Sequence, residues 1–304
     1  MAMPGQCSAE TIDAIARAIR GSERVLIGAG AGLSAAAGID YTDTEAFARV
    51  FPKWAERGYH MQYEFVGVHD WEESAKWAYW ATHLNYVFYR FPPSPLYQKL
   101  HAIIQDKDFY VITSNADGMF IRSGFEADRV FQAQGNYERL RCTMSCTTKT
   151  WDTKPFVDRI LDHIDYETLQ VADPAALPTC PYCGAPLFVA FRAREEYAQQ
   201  AANYQRWLEG VLDKNLVVME IGVGFNTPGV IRWPFERLVK IHQDVTFIRI
   251  NSDYRNYANT ARPEIPNGIR SKSVSINADA GEIIEALHER LKGKSESPRI
   301  PRIF

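Results

Sequence analysis

Apolar positions along this chain switch between two spacings. Ile12, Ile15 and Ile19 follow Ser8 three and four residues apart and stop at Gly21, which predicts a capped amphipathic helix. Arg24-Val25-Leu26-Ile27 then predicts a short buried strand that runs into the small-residue segment 28–38 and the start of a helix. Further apolar runs at 109–112, 216–219, 245–250 and 273–276 predict buried strands. Helical spacing appears at 96–106, 203–212, 228–242 and 280–291. Buried strands that alternate with helices predict an α/β fold with a doubly wound parallel sheet.

Two stretches interrupt the alternation. Residues 44–95 contain no strand pattern and are rich in aromatics, with Trp77, Trp80, Leu84, Val87 and Phe91 spaced for one helix face. Residues 138–200 hold four of the five cysteines. Both read as insertions that build a smaller domain on the ligand edge of the sheet. The expected division is a Rossmann-like domain from 8–43, 96–137 and 201–292, a helical insertion at 44–95, a zinc-binding insertion at 138–200, and a tail at 293–304.

Composition narrows the class. With 304 residues, 46% hydrophobic and 23% charged, the chain is an ordinary globular protein large enough for one core plus a smaller insert. A net charge of -3 gives no footprint for nucleic acid or an anionic membrane. No apolar run approaches the ~20 residues of a membrane span, and the N-terminus lacks a basic region and an apolar signal core. The expected location is cytoplasmic, where cysteines serve metals or catalysis more often than disulfides.

Four motifs carry candidate chemistry. Strand, glycine-rich turn and small-residue helix start at 24–38 form the layout of a dinucleotide phosphate loop; a tight turn without a ligand uses the same residues. Thr113-Ser114-Asn115-Ala116-Asp117-Gly118 follows a buried strand, which makes it either a ligand loop or an Asx turn. Cys142-x3-Cys146 and Cys180-x2-Cys183 are two close pairs 33 residues apart, a spacing that places four sulfurs around a tetrahedral, structural zinc; the alternative is two pairs of free thiols. Gly222-Val223-Gly224-Phe225-Asn226, Asn251 and Asn277-Ala278-Asp279-Ala280 each follow a predicted strand and supply the expected wall for a dinucleotide.

In chain order these pieces resemble the sirtuin family. Gly30-Ala31-Gly32-Leu33-Ser34 through Gly38-Ile39 is similar to its phosphate-loop signature, and 113–124 is similar to its Thr-Gln-Asn-Ile-Asp segment. The four cysteines correspond to its zinc module, and Gly222, Asn251 and Asp279 fall in its later NAD loops, so the resemblance spans residues 10–290. It implies NAD and a structural Zn2+. The residues it places on NAD are Gly30, Ala31, Gly32, Ser34, Ile39, Asp40, Ser114, Asn115, Asp117, Gln134, Gly222, Val223, Asn251, Asp279 and Ala280.

The departures from that family are as informative. Asp40-Tyr41-Thr42-Asp43 stands where the family has Pro and then Phe-Arg. Ser114 replaces a Gln, and Met119-Phe120 replace Leu-His. Gln132-Ala133-Gln134-Gly135 replaces Glu-x-His-Gly, and Phe191-Arg192-Ala193 replaces Phe-Gly-Glu. The set resembles the divergent, macrodomain-linked class M branch, which implies protein ADP-ribosylation. The implied acceptor is a lipoyl-carrying H-like protein, and the implied functional partner is a macrodomain hydrolase.

Deacylation needs a base at a ribose hydroxyl, a task suited to a histidine with a pKa near 6.5. Gln134 cannot titrate, and loss of a general base typically costs about 10²–10⁴-fold in rate. Transfer of ADP-ribose needs only the first displacement at the anomeric carbon. On this reading Asn115 positions the nicotinamide ribose or the nucleophile, Asp117 holds the nicotinamide carboxamide, and Gln134 binds ribose hydroxyls. Arg192 either clamps an acceptor anion or serves the zinc turn. His69, His83 and His101 are candidate substitute bases from elsewhere in the fold, which keeps a deacylase reading open beside a non-catalytic NAD or ADP-ribose sensor.

Overall fold

The computed structural model describes residues 7–68, 70–192, 194–211, 213–252 and 265–292. His69, Ala193, Leu212 and the expected tail 293–304 lie outside the described residues. In chain order the strands are β1 (Arg24–Ala29), β2 (Asp108–Thr113), β3 (Val130–Gln132), β4 (Arg139–Cys142), β5 (Thr150–Asp152) and β6 (Ile164–Asp165). They continue as β7 (Gln170–Val171), β8 (Leu187–Val189), β9 (Leu216–Ile221), β10 (Val245–Ile250) and β11 (Ser273–Ile276).

Six of these strands form one parallel sheet in the order β11-β10-β9-β1-β2-β3. Alternate residues feed two cores. Val25 and Ile27 of β1 join Ile12, Ile15, Leu100 and Leu287 on one side. Leu26 joins Trp207, Phe235 and Val239 on the other. A strand apolar on both faces is stable only between two helical layers, which is the doubly wound arrangement.

The strand register positions the site. Gln132, Thr113, Ala29, Ile221, Ile250 and Ile276 are consecutive cross-strand partners, so one row closes all six strands at the carboxyl edge. The residue after each is Ala133, Ser114, Gly30, Gly222, Asn251 or Asn277. The chain runs outward from β1 in one direction and then resumes at β9 on its other side. The crevice at that reversal is where such sheets hold ligands.

The interruptions pack together. The helix Glu73–Leu84 continues as a π-helix, Asn85–Arg90. Trp77 and Trp80 meet Phe188 of β8 edge-on at 5.7 and 5.5 Å. The small antiparallel sheet β5-β4-β8 carries the cysteine turns. Phe51, Phe65 and Tyr79 stack within the helical insert, with ring centroids 5.3 Å apart for Phe51–Tyr79 and 3.9 Å for Phe65–Tyr79.

Among the elements that differ from the sequence pattern, two bear on the edge of the main sheet. β3 is missing from the expected strands because three residues offer too little periodicity, yet it forms the sheet's edge. The helix expected at 203–212 spans Arg194–Glu209 instead; its first turns, with Glu195, Glu196, Gln199 and Gln200, are too polar to show a face. Among the described residues no helix is long and apolar enough to cross a membrane.

Candidate functional site

The phosphate-loop segment is held by backbone packing. Gly30 caps the helix Ala31–Ala36, and its amide donates to the Ile221 carbonyl at 3.0 Å. The Gly32 amide donates to the Gly222 carbonyl at 2.9 Å. A Cβ on Gly30 would lie 2.6 Å from that same carbonyl oxygen, and one on Gly32 would lie 2.8 Å from the Gly222 Cα. Gly222 has φ +62°, and a Cβ there would meet the Leu33 nitrogen at 2.3 Å. Two loops from adjacent strands therefore touch backbone to backbone, a contact that only glycine permits. Ala31 is exposed at the helix start.

Asn115, Ser34 and Asp117 form one hydrogen-bonded unit. Asn115 Nδ2 donates to the Gly30 carbonyl and to Ser34 Oγ, both at 2.9 Å. Ser34 donates to Asp117 Oδ2 at 2.5 Å, and the Met119 amide donates to Asp117 Oδ1 at 2.8 Å. Tyr97, which sequence reasoning missed, places its hydroxyl 3.2 Å from Ser34 Oγ. Asp117 is only 4% exposed. Burial raises its pKa against the lowering pull of Ser34, the Met119 amide and Arg122. The Ser114 amide donates to the Ala29 carbonyl, which holds the loop to β1.

Gln134 sits in the turn after β3, partly exposed, and shares a cavity of about 470 Å³ with Arg141, Val189, Phe191 and Arg192. The next residue, Gly135, has φ +80°, and a Cβ there would fall 1.1 Å from the Phe191 carbonyl oxygen. The Asn136 amide donates to that oxygen at 2.9 Å. A sharp glycine turn thus brings Gln134 beside Arg192 from 58 positions away in the chain. Arg192 is exposed, and its guanidinium lies over the Tyr197 ring at 5.4 Å.

The two candidate histidines among the described residues, His83 and His101, are placed elsewhere. His83 is buried, with Nδ1 2.9 Å from Gln62 Oε1 and Nε2 3.4 Å from the Tyr137 hydroxyl, and burial lowers its pKa to about 3. The Tyr137 hydroxyl also lies 3.0 Å from that of Tyr41, a pair that sequence reasoning missed. His101 lies on the helix Pro95–Ile104, with Nε2 3.6 Å from Glu126.

The other expected cofactor residues have clear local roles. The Ile39 amide donates to the Ser34 carbonyl at 2.8 Å, and its side chain is buried. Asp40 Oδ1 accepts from the Thr42 amide and hydroxyl, at 2.8 and 2.7 Å. Asn251 Nδ2 donates to the Val223 carbonyl at 3.1 Å. Asp279 Oδ1 accepts from the Gly281 and Glu282 amides at the start of the helix Ala280–Lys292, and Ala280 is buried.

The Sγ atoms of Cys142, Cys146, Cys180 and Cys183 all lie within 4.8 Å of one another, and three of the distances are 3.5–3.6 Å. Zinc–sulfur bonds of about 2.3 Å in a tetrahedron imply sulfur separations of about 3.8 Å, so the quartet fits a structural zinc. Four thiolates leave no coordination position for substrate, which separates this centre from the chemistry.

Residues 30–220 match the Sir2 family, and the chain belongs to that family. A Fusarium oxysporum f. sp. cubense protein named "Probable bifunctional ADP-ribose hydrolase/ADP-ribosyltransferase" is 38% identical over 229 residues, covering 72% of this chain. The chain spans 38% of that relative's length. A Staphylococcus aureus protein named "Protein ADP-ribosyltransferase" is 26% identical over 281 residues, covering 88% of this chain and 84% of its own. Among solved structures, a Sir2 homologue in complex with NAD superposes with a TM-score of 0.55 and 18% identity, covering 96% of this chain and 97% of that one. At that identity the likeness concerns the fold.

Proposed function

We propose that the chain is an NAD-dependent protein ADP-ribosyltransferase. The observation that carries this reading is the pairing of Gln134 with Arg192 in one cavity that no histidine lines among the described residues. The names of the Fusarium and Staphylococcus relatives point the same way.

NAD enters as a substrate. We assign its pyrophosphate to the edge where the Gly30–Gly32 loop and the Gly222 loop pack backbone to backbone. The bond between the ribose anomeric carbon and the nicotinamide nitrogen breaks, and nicotinamide leaves with the bonding electrons. A nucleophile on the acceptor protein donates a lone pair to the same carbon and releases its proton to solvent. Asn115, fixed by Gly30 and Ser34, holds the ribose or the nucleophile. Asp117 binds the departing carboxamide. Gln134 binds ribose hydroxyls without taking a proton from them, and Arg192 faces the same cavity, placed to hold an anion of the acceptor.

His83 does not supply the missing base. Both its nitrogens lie near buried partners, and a pKa of about 3 leaves it a poor proton acceptor at neutral pH. A lipoyl-carrying acceptor, a macrodomain hydrolase as partner and a cytoplasmic location complete the proposal. Incubation with labelled NAD and purified lipoyl-carrying protein should give labelled protein and free nicotinamide. Nicotinamide release that yields only free ADP-ribose would contradict the acceptor assignment.

A further inference from the structure

Behind the Gly222 loop lies a buried charge cluster that the proposed chemistry does not use. Glu220 of β9 and Arg249 of β10 are cross-strand partners. They form a bidentate pair, Arg249 Nε to Glu220 Oε1 at 2.8 Å and Nη2 to Oε2 at 2.9 Å. Glu236 lies 2.9 Å from Arg249 Nη2. Arg232 joins them, with Nη2 3.2 Å from Glu220 Oε1. The side chains of Glu220 and Arg232 are each 1% exposed. Buried ion pairs seldom stabilise a fold more than apolar residues of the same shape, so stability alone does not account for the cluster.

Arg232 also reaches out of the cluster to the loop at two points. Its Nη2 donates to the Val223 carbonyl at 2.9 Å, and its guanidinium lies over the Phe225 ring at 4.1 Å. The Val223 carbonyl accepts a second bond from Asn251 Nδ2 at 3.1 Å. In a planar trans peptide the carbonyl and the following N–H point in opposite directions, and no described peptide is cis. Two donors that draw the Val223 oxygen inward therefore turn the Gly224 N–H outward.

We propose that Arg232 is a positioning residue for NAD: it fixes the Val223–Gly224 peptide so that the Gly224 N–H donates to an oxygen of the ADP-ribose half. The inference rests on the reading that this sheet edge binds NAD. Glu220 and Arg249 form the anchor, and Arg232 carries their rigidity to the loop. Lysine cannot replace it fully, because an ammonium lacks the planar face that lies over the Phe225 ring.

The test is titration of wild type, Arg232→Met and Arg232→Lys with NAD and with ADP-ribose, beside steady-state nicotinamide release. Arg232→Met leaves Glu220 paired with Arg249, so the core pair survives. Its Kd for both ligands should rise about tenfold or more, the cost of one hydrogen bond to a charged group. Its kcat at saturating NAD should stay within about threefold of wild type, and Arg232→Lys should lie between the two. If Arg232→Met does not fold, Arg232→Lys carries the test with a Kd raised above wild type. A folded variant with wild-type Kd, or one whose kcat collapses at unchanged KM, overturns the inference. A wild-type protein that binds neither ligand contradicts the functional reading itself.

Discussion

The two sides of the cleft are built from different materials. On the proposed nucleotide side the two loops are held by backbone: Gly30, Gly32 and Gly222 touch where any Cβ would collide. On the side of the proposed acceptor, Gln134 and Arg192 present side chains to an open cavity, and only Gly135 is sterically fixed. A backbone-built surface tolerates little change and suits a ligand that never varies. A side-chain surface can change its chemistry by substitution while the scaffold stays. Under the proposed function, such a division lets a Sir2 fold keep one edge for NAD and change the chemistry at the other.

That contrast can be broken from either side. Gly222→Val should have the largest effect, because it places a branched side chain 2.3 Å from the Leu33 nitrogen at φ +62°. NAD affinity should fall at least about 100-fold, the cost of opening a close backbone contact; calorimetric titration at wild-type strength would break the account of the nucleotide side. Asn115→Ala should come next, with nicotinamide release reduced about 10²–10³-fold, as for loss of one oriented donor. Only a few-fold loss would assign Asn115 to holding Gly30 and Ser34 rather than to the reaction.

Arg192→Ala should act on the acceptor side alone. Its KM for the acceptor protein should rise about tenfold while the Kd for NAD stays unchanged; a parallel loss of NAD affinity would place Arg192 on the nucleotide instead. The smallest expected effect concerns His83. Its folded pKa is lowered to about 3, so as pH falls below 6.5 the unfolded chain takes up a proton that the folded chain refuses. Stability then falls by up to about 1.4 kcal/mol per pH unit through that window. His83→Gln should remove this contribution in denaturant titrations from pH 6.5 to 4.5, with transfer activity at pH 7.5 little changed. An unchanged slope would mean that the imidazole is not held neutral, which would reopen its candidacy as a base.

The same contrast sorts what the sequence reveals. The glycine loop and the Asn115–Asp117 segment are local patterns at the carboxyl ends of β1 and β2, and the cysteine pairs are a local pattern whose four sulfurs converge. β3 is too short for periodicity, and the approach of Gly135 to Phe191 joins positions 56 residues apart. Neither leaves a local trace beyond one glycine. Glu220 and Arg249 each stand in the sequence as a charge within an otherwise apolar run. What the sequence does not show is that these two charges pair across the sheet, because the register of β9 and β10 is not a local property.

The central claim concerns Gln134, and one measurement reaches it directly. Wild type and Gln134→His are each incubated with NAD, a lipoyl-carrying protein and an acetyl-lysine peptide, with protein-bound ADP-ribose and free lysine quantified by mass spectrometry. Wild type should place ADP-ribose on protein and neither form should deacylate the peptide, since Thr42-Asp43 also departs from the family's Phe-Arg. Efficient lysine release by the wild type, with no modified protein, would contradict it.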